Sequence, residues 1–210
     1  MSERTIAAIA TPLGEGSIGV IRISGEDAIK IADKVFFAFN KKPLSELKGY
    51  TAAYGEIKEN GCVLDDAVAL VFLAPKSYTG ENVVELSLHG GRLMLKNALR
   101  VILQKGAVLA SPGEFTKRAF LNGKLDLTKA ESVMGLISAR NESELRLSRA
   151  AHIGTVSQKI DKIEADLVSA DASIAAFSDY PDEDIEGLDY DKLLKMQNNA
   201  KTEIENMLST

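Results

Sequence analysis

Four groups of residues in this chain have types and spacings suited to chemistry. Arg22 interrupts the apolar run Ile18 to Ile23. Strand alternation would put Ile21 and Ile23 on one face and Val20, Arg22 and Ser24 on the other. The arginine there either meets solvent or aims a planar fork at an anionic or carbonyl-bearing ligand. Val83, Glu85, Ser87 and His89 form a second polar row, with Val84, Leu86 and Leu88 on the opposite, core-facing side. That row is either the wet outer face of an antiparallel strand or a pocket wall where a carboxylate, a hydroxyl and an imidazole converge. His89 by itself reads as structural. Lys117, Arg118, Lys124 and Lys129 surround the segment Asn122-Gly-Lys-Leu-Asp126, with Lys124 in a turn between helices. They are either a solvated turn or a contact for an anion near a domain junction. Finally, Gly14-Glu-Gly16-Ser-Ile-Gly19 matches G-x-G-x-x-G. The dinucleotide fingerprint needs a helix after the glycines, and here the β-rich Ile18-Gly-Val-Ile-Arg-Ile23 follows. The motif therefore joins strand to strand, as a flexible loop or one that folds over a ligand.

Several function classes fall away on composition. The 210 residues carry a net charge of −5, which argues against a globally basic nucleic-acid binder. No G-x-x-x-x-G-K-[ST] occurs, so the chain holds no phosphate-cradling loop of the P-loop type. Two histidines and one cysteine, Cys62, without close spacing give no zinc signature. A single cysteine points to a reducing compartment. With neither a signal-peptide pattern nor an apolar run long enough for a membrane span, the chain reads as cytoplasmic.

The elements that must position these residues fall into two groups. Residues 1–140 carry a net charge of +3 and residues 141–210 a net charge of −8. The first part mixes strands and helices. Strands are expected over Thr5 to Ala10, Ile18 to Ser24 and Asn82 to Leu88, with a hairpin of Tyr50–Ile57 and Cys62–Leu73 around Asn60-Gly61. A helix capped by Ser24 is expected to carry Ala28, Ile31, Ala32, Val35, Phe36 and Phe39 on one face. Another follows Gly90-Gly91. Ser111-Pro112-Gly113-Glu114 reads as a capping box with proline at the first helical position, on a helix stopping near Asn122-Gly123. The second part is helical. Asp126 caps a helix through Arg140, and Asn141 starts a longer one. Along it Ile153, Val156, Ile160, Ile163, Leu167, Ala170, Ile174 and Phe177 form a heptad seam. An acidic turn from Asp179 to Asp191 precedes a last helix from about Tyr190, with Leu193, Ala200, Ile204 and Met207 on one face. Asn141-Glu-Ser143 reads as a helix cap, not a glycosylation site. The acidic turn lacks the regular ligand spacing of a cation loop.

Several blocks, in order, resemble one family. Thr5-Ile-Ala-Ala-Ile-Ala-Thr-Pro-Leu-Gly-Glu-Gly-Ser-Ile-Gly-Val-Ile-Arg-Ile-Ser-Gly25 resembles the start of the bacterial tRNA modification GTPases (MnmE, also called TrmE). So do Ser77-Tyr-Thr-Gly-Glu-Asn-Val-Val-Glu85, His89-Gly-Gly91 and Pro112-Gly-Glu-Phe-Thr-Lys-Arg-Ala-Phe-Leu-Asn-Gly-Lys-Leu-Asp-Leu127. Lys129-Ala-Glu131 and Tyr180-Pro-Asp-Glu-Asp-Ile185 are also similar to it.

The resemblance implies an α+β fold. Residues 1–118 would form a domain similar to the tetrahydrofolate-binding domain of aminomethyltransferases, which also homodimerises. Residues 119–210 would form the first part of a helical domain of long antiparallel helices. In the family a G domain, where GTP, Mg and K bind, is inserted in that helical domain, and a cysteine motif lies at the C-terminus. This chain is expected to end before both, and so to have no catalytic residues or GTPase activity of its own. With a FAD-containing flavoprotein partner (MnmG, also called GidA), family members modify C5 of the wobble uridine of certain tRNAs. The one-carbon donor implied is a formyl-tetrahydrofolate, and the positions matching its contacts are Arg22, Glu85 and Lys124. The competing expectation is a self-standing folate-dependent methyl or aminomethyl transferase.

Overall fold

The computed structural model describes residues 4–14, 16–179 and 190–208. The chain divides into two compact units, Met1–Ala130 and Glu131–Thr210. The architecture is mixed, a seven-stranded sheet with helices, consistent with the α+β expectation.

In the first unit β-branched and aromatic runs form strands β1 (Ile6–Ile9), β2 (Ile18–Ser24), β3 (Phe36–Ala38), β4 (Thr51–Glu59), β5 (Cys62–Phe72), β6 (Val83–His89) and β7 (Val108–Leu109). Their order is β3-β4-β5-β6-β2-β1-β7, antiparallel throughout except for β1 with β7. The β4–β5 turn has Asn60 and Gly61 both at positive φ, 49° and 86°, the conformation a tight two-residue hairpin demands. Alternation sends Ile21, Ile23, Ile57, Val71, Val84 and Leu86 into the core. There they meet helices α1 (Ala28–Ala32) and α2 (Arg92–Gln104), the latter burying Leu95, Ala98, Val101 and Ile102. Gly19 is the third glycine of the G-x-G-x-x-G stretch. A Cβ there would lie 2.5 Å from Leu95 Cδ1, so this glycine lets α2 press onto β2.

The helix expected from Ser24 to Phe39 is not formed. Helix α1 ends at Ala32, and Phe36–Ala38 pairs with β4 as the sheet's edge. The Ser24 hydroxyl contacts Thr79 and Glu81, so it does not cap. Val35 is buried from the turn after α1 and Phe36 from extended chain, with the Phe36 ring packed against Gly55. A compact β-branched and aromatic cluster favours a strand over the fourth turn of a helix. The capping box is half formed. Glu114 accepts from the Ser111 N–H at 2.7 Å, but α3 (Glu114–Leu121) starts after Gly113, whose φ is 74°. Pro112 therefore precedes the helix instead of opening it.

The second unit is built of α4 (Leu127–Ser138), which begins in the first unit's last residues, α5 (Glu142–Ile153), α6 (Thr155–Asp179) and α7 (Tyr190–Leu208). The Asp126 carboxylate accepts from Lys129 N–H, and Asn141 Oδ1 accepts from Glu144 N–H, so both helix starts are capped by the expected residues. The single long helix expected after Asn141 is two. Gly154, at φ 84°, closes α5 in a left-handed cap, as a glycine amid β-branched neighbours readily does. The seam survives in α6, yet Ile160, Leu167, Ile174 and Phe177 each stay more than 40% exposed. The Val156 side chain, and residues 180–189 of the acidic turn, lie outside the described residues. Among the described residues, no helix is long and apolar enough to cross a membrane.

Candidate functional site

Arg22 and Glu85 stand directly opposite one another in the β2–β6 register, on the sheet face away from α1 and α2. Their meeting follows from the strand pairing, which a residue-by-residue reading of two separate polar rows did not supply. The Arg22 Nε and Nη2 groups both reach Glu85 Oε1, at 2.7 and 2.6 Å. Glu85 Oε2 makes no further hydrogen bond among the described residues, so the carboxylate keeps an acceptor edge. Each side chain is about a quarter exposed, so the pair is neither dry nor freely solvated. Cross-strand neighbours extend the row through Leu70 to Ala52.

Two aromatic rings flank the pair. The Arg22 guanidinium carbon lies 5.4 Å from the centre of the Tyr78 ring and 5.5 Å from that of Phe115. Such contacts hold a guanidinium in place while leaving its N–H groups in plane for carboxylates or carbonyls. Tyr78 is itself fixed by a 2.9 Å hydrogen bond between its hydroxyl and that of Thr116 on α3. Neither ring stood out from residue type alone, though both lie inside the resembling blocks Ser77-Tyr78 and Glu114-Phe115.

Lys124 is exposed in the turn after α3, and its Nζ donates to the Pro75 carbonyl at 3.2 Å. The loop 75–82 thus touches Lys124 at one end and carries Tyr78 to Arg22 farther along. The same loop is tied to α3 by Asn122 Nδ2 donating to the Thr79 carbonyl, 2.7 Å.

The basic cluster expected around Lys124 does not converge. Arg118 is only 4% exposed and points inward. Its guanidinium donates to Glu81, to Glu114 and to the Arg4 carbonyl, at 2.8–3.2 Å. Burial raises the Glu114 pKa, but hydrogen bonds from Ser111 N–H and Arg118, with the charges of Arg118 and Lys117, outweigh it and hold the group below the usual carboxylate range. Lys129 pairs with Asp126 at 3.3 Å. Arg118 is therefore the bolt that fastens α3 and the 75–82 loop, which together carry Phe115, Tyr78 and the Lys124 contact.

Ser87 and His89 continue the β6 face. His89 Nδ1 lies 2.6 Å from Asp65 Oδ1, and its N–H donates to Asp65 Oδ2 at 2.8 Å. The hydrogen bond and charge of Asp65 raise the His89 pKa above its ordinary value. Asp65 fixes the end of β6, the structural role expected of His89. Among the described residues, no group of His, Cys, Asp and Glu is arranged to hold a metal ion.

Comparison with known proteins places this arrangement in a family. Residues 5–124 match the family described as "GTP-binding protein TrmE N-terminus", and residues 127–210 match "MnmE helical domain". Proteins named "tRNA modification GTPase MnmE" are similar to the chain. That of Listeria welshimeri is 42% identical over 207 residues, covering 98% of this chain and 45% of its own length. That of Carboxydothermus hydrogenoformans is 41% identical over 212 residues, 100% of this chain and 46% of its own length. That of Symbiobacterium thermophilum is 46% identical over 187 residues, 89% of this chain and 41% of its own length. The chain thus spans less than half the length of these relatives. Arg22, Glu85 and Lys124 all fall inside the first matched segment, and the chain belongs to the TrmE/MnmE family, carrying its N-terminal and helical regions.

Proposed function

We propose that the first unit binds a formyl-tetrahydrofolate against the β2–β6 face, as the one-carbon donor of a tRNA modification GTPase. The observation that carries this reading is the Arg22–Glu85 pair, flanked by the Tyr78 and Phe115 rings on the sheet face away from α1 and α2. A pterin presents an amino group and a ring N–H along one edge, and the free Glu85 oxygen is an acceptor suited to them. Arg22 would meet the folate's carbonyl oxygens, and Lys124, on the exposed turn, its anionic tail. The family assignment supports the rest of the reading. The first unit also homodimerises, for which Ile18 and Val68, 68% and 41% exposed, offer apolar surface. The whole protein acts in the cytoplasm with a FAD-containing flavoprotein at C5 of the wobble uridine of certain tRNAs. GTP, Mg and K belong to a G domain elsewhere in it. This chain, without the P-loop sequence, is expected not to bind labelled GTP.

Calorimetric titration of the purified chain with 5-formyl-tetrahydrofolate tests the proposal. Saturable binding weakened by Lys124→Ala less than by Arg22→Ala is expected, since an exposed ion pair contributes only about 0–1 kcal/mol. No heat of binding by wild type would remove it.

A further inference from the structure

At the far edge of the sheet, three strands away from β6, β3 and the loop after it frame a cleft of about 490 Å³. Its walls are the Phe37 and Phe39 rings, with Lys41, Lys42 and Lys58 beside them. Phe37 opposes Glu56, and the Phe39 N–H donates to the Tyr54 carbonyl, so the two phenylalanines continue one register and share a face. Strand geometry sets alternate residues about 6.6–6.8 Å apart. Both rings are about half exposed, 46% and 51%. Phe39 is steadied edge-on against Tyr54 at 4.9 Å, and the Lys58 ammonium lies 5.5 Å from the Phe37 centroid.

The charge around the rings is one-sided. The cleft's lining carries three lysines, Lys41, Lys42 and Lys58, and two carboxylates, Asp33 and Glu56. Asp33 is occupied by the Leu44 and Ser45 N–H groups, and Glu56 by Lys58 at 2.7 Å. Lys41 and Lys42 make no ion pair among the described residues, and both are exposed. Two aromatic faces at sheet spacing beside unpaired ammonium groups match the requirements of a single nucleic-acid strand. Unstacked bases lie on the rings and phosphates meet the lysines.

From these features we infer that the β3 cleft binds single-stranded RNA, stacking bases on Phe37 and Phe39 and holding phosphates with Lys41 and Lys42. The choice of RNA over another polyanion rests on the proposed role in tRNA modification, while the surface itself is independent of the folate face. It assigns to the first unit an RNA contact of its own.

The test uses the whole chain, without folate or partner protein, and a fluorescein-labelled twelve-residue oligouridylate followed by anisotropy. Wild type is expected to bind the single strand and to prefer it to duplex RNA and to polyphosphate, which lack accessible bases. Phe37→Leu with Phe39→Leu, which keeps apolar bulk but removes the rings, is expected to weaken binding about tenfold or more. Lys41→Gln with Lys42→Gln is expected to reduce the slope of log K against log salt by about 1.4. Circular dichroism confirms that each variant folds. No binding at about 100 μM protein, the weak end for non-specific nucleic-acid contacts, overturns the inference. So does polyphosphate binding as tightly as the oligonucleotide with no effect of the leucine variant, or a preference for an acidic peptide. Folate binding surviving any of these results leaves the folate reading intact, and its loss in wild type leaves this one intact.

Discussion

The two units spend their apolar residues differently. In the first, Ile21, Ile23, Ile57, Val84, Leu86, Leu95 and Ile102 are essentially out of water, packed between one sheet face and two helices. In the second, Ala200 is the one apolar side chain buried among the described residues, while Ile137, Leu147, Ile153 and Leu208 are 59–82% exposed. Burial at about 25 cal/mol per Å² is what offsets the entropy of ordering a chain, so stability within this molecule is concentrated in the first unit. The sheet can therefore hold Arg22 and Glu85 rigidly. In the second unit a Cβ on Gly135 would lie 2.5 Å from the Ser148 hydroxyl, so α4 and α5 approach closely there.

The largest effect expected from that contrast is at Arg118. Arg118→Ala leaves Glu81 and Glu114 without their buried partner and is expected to destabilise the first unit by about 3–5 kcal/mol. Denaturant unfolding monitored in that unit measures it. A loss below about 1 kcal/mol would show that the network is dispensable. Next comes a matched pair of truncations. Leu86→Ala, fully buried, is expected to cost about 2–5 kcal/mol. Ile174→Ala, 48% exposed, is expected to cost about 1 kcal/mol or less. Equal costs would erase the distinction between the units.

What could be read from residues alone follows the same divide. Alternating β-branched runs and the Asn60-Gly61 turn carry their structure locally, and β2, β4, β5 and β6 stand where periodicity puts them. The edge strand β3 did not, because Val35 and Phe36 satisfy a helical period as well as an extended one, and only the backbone of β4 decides between them. Gly154 ended a helix whose heptad pattern ran straight through it, since a periodic pattern does not register a left-handed cap. At the site, Arg22, Glu85 and Lys124 were visible as polar interruptions and by family resemblance. The Arg22–Glu85 pairing, the Tyr78 and Phe115 flanks and the inward turn of Arg118 depend on contacts 37 to 93 residues apart in sequence, which local pattern does not encode.

A smaller effect concerns His89. Its folded pKa is raised by Asp65, so the pair's stabilisation is fully present below the ordinary histidine value of 6.5 and is lost as pH rises through the folded value. An NMR titration is expected to place His89 above 6.5, and Asp65→Asn to bring it back toward that figure. A midpoint unchanged by Asp65→Asn would detach the imidazole from the carboxylate.

The most direct test of the account lies at the rigid face itself. Glu85→Gln keeps the side chain's shape and a carbonyl oxygen for Arg22, but removes the carboxylate charge and replaces one of its acceptor oxygens with a donor amide. Its affinity for 5-formyl-tetrahydrofolate, measured by calorimetric titration beside wild type, is predicted to fall at least about tenfold, or 1.4 kcal/mol, with the melting temperature of the first unit little changed. Wild-type affinity in the Glu85→Gln chain would contradict the assignment of the β2–β6 face as the folate site.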